Sequence, residues 1–305
     1  MRNFSFSMLV LFILSSCTVD KTDYESEINT AVPEYFEFKE AVSVIKGDYK
    51  VSVEALNGTF YKGYNEIHLK IINIATASGI TAENVTFLPV ISYKGNNWAT
   101  CPNLHIPIYK EQESYYSGYA VFTTESGTGT WELNIDFEKE GQKYKVSLPI
   151  SVKEQVNKNR NMALFTGNDD KQYIIALIAP QKPRVSENEL VAGIYQYNGE
   201  YDPETPLPEP SEPAYTEVKG YTLQLDPRMP EPSMGNHSSP NNRDLKQGED
   251  GLYHGVVNYT MTGNWTLNFI LLNTDGKIVK GTVVPPDFTP GVEGVKSELH
   301  IDILF

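Results

Sequence analysis

The chain has 305 residues, 40% of them hydrophobic, and a formal net charge of −14. That apolar content suffices for a packed core and excludes wholesale disorder. The acidic balance argues against nucleic acid as a partner and against adsorption on anionic lipid.

At the N-terminus Arg2 precedes an apolar run from Phe4 to Leu14, unbroken from Met8 onward. A spanning helix needs about 20 apolar residues, so this run fits the core of a signal peptide instead. The run ends in Leu14-Ser15-Ser16-Cys17, which resembles a lipobox. The expectation is a signal peptide over 1–16, cleaved before Cys17, with that cysteine carrying the lipid. Several acyl chains would hold the protein on a membrane, at roughly 0.8 kcal/mol per buried methylene. Thr18 follows the cysteine, and Asp20, Asp23, Glu25 and Glu27 make 17–45 an acidic tether. Such tethers resemble the export signals of some surface-facing outer-membrane lipoproteins, or serve as plain solvated linkers. The expected location is the cell envelope, as an outer-membrane lipoprotein facing the periplasm or the surface. The one other cysteine is Cys101, so a disulfide framework within the mature chain is not expected.

Beyond the tether the chain reads as all-β. Residues 28–46 give only a weak helical pattern, whereas Tyr49–Glu54, Glu66–Ile71 and Lys143–Leu148 alternate as strands do. Ile174–Ala179 has the length of a core strand. Short alternating runs between Gly, Pro, Asn and Asp turns suggest sandwiches.

An internal repeat organises the rest. Tyr116, Gly118, Phe122 and Thr123 are followed after a turn by Trp131, Leu133 and Asn134; Tyr253, Gly255, Tyr259 and Thr260 are followed by Trp265, Leu267 and Asn268. Upstream, Cys101-Pro102-Asn103 parallels Ser239-Pro240-Asn241, and Asn84–Pro89 parallels Gly220–Leu225. The motif reads as a β-hairpin in which each Trp plugs one end of a sandwich. Gly118 and Gly255 mark a bulge or a close approach of two backbones. Two copies imply two tandem sandwiches, over 46–155 and 165–305, joined where Glu154 to Arg160 turns polar. The second carries an insertion over 201–213, rich in proline and glutamate, which reads as a stiff acidic excursion.

The second copy holds Met229-Pro230, Met234, His237 and Pro240, then Tyr253, Gly255, Met261, Gly263 and Trp265. This pattern resembles the YtkA-like (FixH-like) family of exported bacterial immunoglobulin-like domains. The first copy matches only in the hairpin and lacks the methionines. The resemblance implies two tandem immunoglobulin-like β-sandwiches and a link to copper handling or to accessory proteins of respiratory complexes. Met229, Met234, His237 and Met261 would then be metal ligands, because thioether and imidazole donors suit Cu(I) better than Mg or Ca. The other reading makes Met229 and Met261 flexible core fillers and His237 an exposed loop residue.

The remaining constellations are weaker. Cys101 and His105 supply two ligands where a structural zinc site needs four. Asp169-Asp170 and Glu249-Asp250 are acidic turns without the alternating oxygens of a calcium loop. No nucleophile elbow, zincin or phosphate-loop motif is present, so an enzyme is not expected. Against the metal-handling reading stands a module that binds a protein or glycan, for which Tyr109, Tyr115, Tyr195 and Tyr197 would offer loop aromatics.

Overall fold

The computed structural model of the protein describes residues 37–93, 97–199 and 210–305. The expected signal peptide, Cys17, most of the tether and Pro203, Pro206 and Pro208 of the insertion lie outside the described residues.

The chain is all-β. The first eleven strands are β1 (Phe38–Lys46), β2 (Tyr49–Leu56), β3 (Phe60–Tyr61), β4 (Gly63–Asn73), β5 (Ser78–Gly79), β6 (Glu83–Tyr93), β7 (Asn97–Thr100), β8 (Ile108–Lys110), β9 (Tyr115–Phe122), β10 (Thr130–Lys139) and β11 (Gln142–Ile150). All but β3 form two antiparallel sheets, β1-β2-β4-β9-β8 with β5 on β4, and β11-β10-β6-β7; β3 pairs in parallel with Val152–Lys153. After β12 (Val152–Lys153) come β13 (Met162–Thr166), β14 (Gln172–Ala179), β15 (Glu187–Tyr197), β16 (Tyr215–Glu217), β17 (Thr222–Met229), β18 (His237–Ser238), β19 (Arg243–Gln247), β20 (Tyr253–Asn258), β21 (Asn264–Leu272), β22 (Ile278–Lys280) and β23 (Leu299–Leu304). Here the path runs β13-β14-β15-β20-β19-β17-β21-β22, with β16 on β15, β18 on β17 and β23 on β21.

The second half repeats the strand order of the first. β13-β14-β15-β20-β19 follows β1-β2-β4-β9-β8, and β23-β21-β17 follows β11-β10-β6. The difference is that β19 also pairs with β17, through Leu223 and Leu245, and so joins what are two sheets in the first half. Each half buries its own hydrophobic cluster, around Trp131 in one and Trp265 in the other, both fully buried. The repeat is therefore a repeat of topology, but the upstream match is displaced by two residues. Pro89 faces Leu133, and the residue that faces Leu267 is Pro227, not Leu225. A shift of two keeps every side chain on its face, so alternation could not detect it.

Local chemistry explains the turns and edges. Glu140 and Gly141 both take positive φ, 54° and 77°, in the two-residue turn that joins β10 to β11, as a hairpin turn matched to strand twist requires. β1 is a strand, which corrects the weak helical reading over the described residues Phe38–Lys46. Its edge is held by Glu40, which accepts hydrogen bonds from Lys50 (2.7 Å), Ser43 (2.6 Å) and Ser52 (2.8 Å). Those bonds, that of Lys50 foremost, lower the Glu40 pKa to about 2. Gly255 is a close approach as expected, since a Cβ there would lie 2.6 Å from the Arg243 carbonyl oxygen; Gly118 is not, with its nearest neighbour at 3.5 Å.

The polar stretch between the halves is a buried junction rather than a loose linker. Asn157, Asn159 and Arg160 are all buried. Asn159 donates to the Leu304 carbonyl at 3.1 Å and Arg160 to the Tyr64 carbonyl at 2.7 Å. Val121, Ile174, Ala176 and Tyr195 pack together beside them, and the Tyr119 hydroxyl donates to Glu217 at 2.7 Å.

Candidate functional site

The hairpin β17–β18 gathers the candidate ligands. Met229 and His237 are direct cross-strand partners. The turn between them is closed by the Met234 amide on the Glu231 carbonyl (2.9 Å) and the His237 amide on the Met234 carbonyl (3.2 Å). Gly235 and Asn236 take positive φ, 64° and 54°, to bring the chain round. The His237 Nε2 lies 3.0 Å from the Thr260 hydroxyl, next to Met261. The Trp265 indole N–H donates to the Met261 carbonyl at 3.0 Å, and its ring lies 6.2 Å from the His237 ring. A Cβ on Gly263 would lie 2.7 Å from the Met229 methyl. Met229, Met234, His237 and Met261 thus belong to one end of the second half.

Their surroundings differ. Met229 is fully buried, Met234 packs against the same core, and Met261 is 36% exposed. The His237 Nε2 and the Thr260 hydroxyl share a hydrogen bond; a second hydrogen bond of this kind is what fixes a ligating imidazole. Two buried polar atoms nearby, Asn236 Oδ1 and the Tyr259 hydroxyl, have no hydrogen-bond partner among the described residues. The set is three thioethers and one imidazole with no carboxylate or thiolate, a donor chemistry that fits a soft monovalent ion. The sequence pointed to these four residues. It did not point to Thr260, Asn236 or the Trp265 face, whose involvement depends on strand pairing.

A covering segment, residues 281–298, lies over this end and over the outer face of β17 and β21. The Asn236 amide donates to the carbonyls of Pro285 (3.3 Å) and Asp287 (3.4 Å), and the Gly294 amide donates to Pro230 (2.7 Å). Asn268, at 3% exposure, accepts from the Ser297 amide at 2.8 Å and donates to the Asp226 carbonyl at 3.0 Å.

The other candidates separate. Cys101 is fully buried in the first core and burial pushes its thiol pKa up, while the His105 ring sits 3.3 Å from the Phe87 carbonyl. The tyrosines are strand residues rather than loop aromatics, which corrects the picture of a Tyr-rich loop surface. Tyr195 is buried, Tyr115 stacks on His68, Tyr109 packs on Tyr116 and Tyr197 on Tyr215. Asp169 accepts from the Tyr173 hydroxyl at 2.7 Å. Asp250 reaches His254, whose second nitrogen meets Glu189 at 3.1 Å. These two carboxylates lie at opposite ring nitrogens and do not converge on one ion. Among the described residues, no group of three or more His, Cys, Asp or Glu side chains is arranged to hold a metal, and no helix is long and apolar enough to cross a membrane.

No known family model matches the chain, and no curated protein matches it. The likeness to the YtkA-like pattern rests on the quoted residues alone.

Proposed function

We propose that this chain is a lipid-anchored protein of the bacterial cell envelope whose second half binds Cu(I). The supporting observation is the direct pairing of Met229 with His237 across β17 and β18, with Met234 in the turn and Met261 beside Thr260. Met229 and Met234 also pack in the second core, and it is the pairing of Met229 with His237 that favours ligation over packing alone. When bound, the ion would be held by thioether and imidazole donors that tolerate an oxidising compartment better than thiolates do. Thr260 shares a hydrogen bond with His237, and the Trp265 ring lies 6.2 Å from the imidazole.

The test is a Cu(I) competition titration of the wild-type chain beside Met229→Leu, Met234→Leu and His237→Ala. Leucine conserves the volume of methionine and removes only the sulfur, at a cost under about 1.5 kcal/mol, so lost binding is not lost folding. One-to-one binding weakened at least roughly tenfold, about 1.4 kcal/mol, by each change supports the reading. Equal binding by all four proteins overturns it.

The anchor has its own test. Cells fed a labelled fatty acid should label the wild-type chain and not Cys17→Ala. Equal labelling, or none in either, removes the lipoprotein reading.

A further inference from the structure

Segment 281–298 contains neither strand nor helix. Its two ends are fixed: Val284 and Ser297 are buried, and Lys296 pairs with Asp302 of β23 at 3.0 Å. Between them every residue from Pro285 to Val295 except Gly294 is exposed, the apolar Phe288, Val292 and Val295 included. An element with little buried apolar surface and few backbone bonds opens at low free-energy cost. Pro285, Pro286 and Pro290 restrict its backbone, so the middle moves as a stiff strap rather than residue by residue.

What ties the middle of this strap down is the ligand-bearing turn itself. Asn236 sits between Met234 and His237, and its side-chain amide donates to the Pro285 and Asp287 carbonyls at 3.3 and 3.4 Å. The Gly294 amide returns a bond to the Pro230 carbonyl at 2.7 Å, and the Phe288 ring lies against Gly235. Asn236 is 5% exposed, yet its Oδ1 has no hydrogen-bond partner among the described residues. A buried acceptor of that kind regains water when the strap lifts, which lowers the cost of lifting. The clasp is closed but poised to open.

Met229 is 1% exposed, so an ion arriving from solvent does not reach its sulfur while the turn from Pro230 to Asn236 stays in place. Met261 and the half-buried His237 form the outer part of the donor set. The turn cannot swing without breaking both Asn236 bonds and the Gly294 bond. We propose that strap 281–298 gates the Met229–His237 site, with Cu(I) entering and leaving when the Asn236 clasp opens. This inference rests on the copper reading and adds to it the step that controls exchange of the ion.

The experiment follows uptake of Cu(I) from its bicinchoninate complex, and its release to excess bicinchoninate, by stopped flow on wild type, Asn236→Gly and Phe288→Ala. Glycine takes the positive φ of Asn236 without strain and removes both bonds. Phe288 is 45% exposed, so its truncation loosens the strap from the other side and leaves the core intact. Circular dichroism checks both folds, and if Asn236→Gly does not fold, Phe288→Ala decides by the same criterion. Loss of the two Asn236 bonds should speed uptake and release together, at least roughly fivefold. By NMR, the Gly294 amide of Asn236→Gly should exchange faster than that of wild type even without copper. Wild-type rates in the variant, an unchanged Gly294 exchange, or weaker binding with no faster uptake each overturn the gate, the last because it makes Asn236 a mere support of the site. A wild-type chain that takes up no Cu(I) overturns the gate together with the copper reading, whereas binding with unchanged variant kinetics overturns the gate alone.

Discussion

A residue can carry a charge because of its neighbours, and His254 is such a case. Its Nδ1 lies 3.1 Å from Glu189 and its Nε2 3.0 Å from Asp250. A neutral imidazole has a single N–H, so two carboxylates at two nitrogens call for the imidazolium. Burial works against that charge, and Lys246 lies opposite on β19, but the bonds to Glu189 and Asp250 outweigh them and raise the pKa above 6.5. A raised folded-state pKa means a stabilising contribution that is complete below pH 6.5 and fades as pH rises through the folded value. An NMR titration should therefore find the His254 ring titrating above its ordinary value, and Glu189→Gln should lower it. A ring titrating at or below the ordinary value would refute the doubly bonded imidazolium. The repeat motif passes through this residue, yet its neighbours were not legible in the sequence. Glu189 lies 65 positions away along the chain, and only the pairing of β15 with β20 brings it near.

At the scale of elements, Asn134 and Asn268 form a matched pair with different duties. Asn268→Ala would leave the Ser297 amide and the Asp226 carbonyl without partners, at about 1–3 kcal/mol for an unsatisfied buried group. Asn134→Ala removes a half-exposed side chain and should stay within about 0.5 kcal/mol. Denaturant midpoints of the two variants check this, and hydrogen exchange across 281–298 should rise in Asn268→Ala alone; equal effects would refute the assigned roles. The hairpin itself was readable, because its Trp, Gly and Tyr positions recur and alternation fixes which of them face inward. The covering segment was not. Val283, Phe288, Val292 and Val295 follow neither a strand nor a helix period, and they remain exposed. The Met229–His237 cluster was half legible: a short loop keeps its members close in sequence, but whether they face the core depends on register.

At the scale of the whole molecule, the junction decides whether the halves behave as one. Its asparagines and Arg160 look like linker residues in the sequence, since such groups are usually exposed. They are buried here because each meets a polar group left open at a strand end, as Asn159 meets Leu304 and Arg160 meets Tyr64. Composition cannot show that a polar stretch will find those partners. Across the same surface Val121 is fully buried and Tyr119 bonds Glu217. Calorimetry of wild type should therefore show a single cooperative unfolding transition, and Val121→Asp, which buries an unpaired charge there, should split it in two. Two transitions in the wild type would mean that the junction does not couple the halves.

The face of β21 that segment 281–298 seals and the matching face of β10 also differ in what evolution can do with them. Substitutions at Asn268 and Ser297 are judged by whether the chain still folds onto itself, so that copy is locked by its own cover. Substitutions at Glu132, Asn134 and Asp136 meet a weaker demand, set by the exposed contacts of Glu132 with Ser147 and of Asp136 with Lys145. A duplicated sandwich in this state holds one copy that conserves the architecture and one whose exterior can drift toward new partners. Lineages carrying this chain should then diverge on the Asn134 face well before they diverge on the Asn268 face.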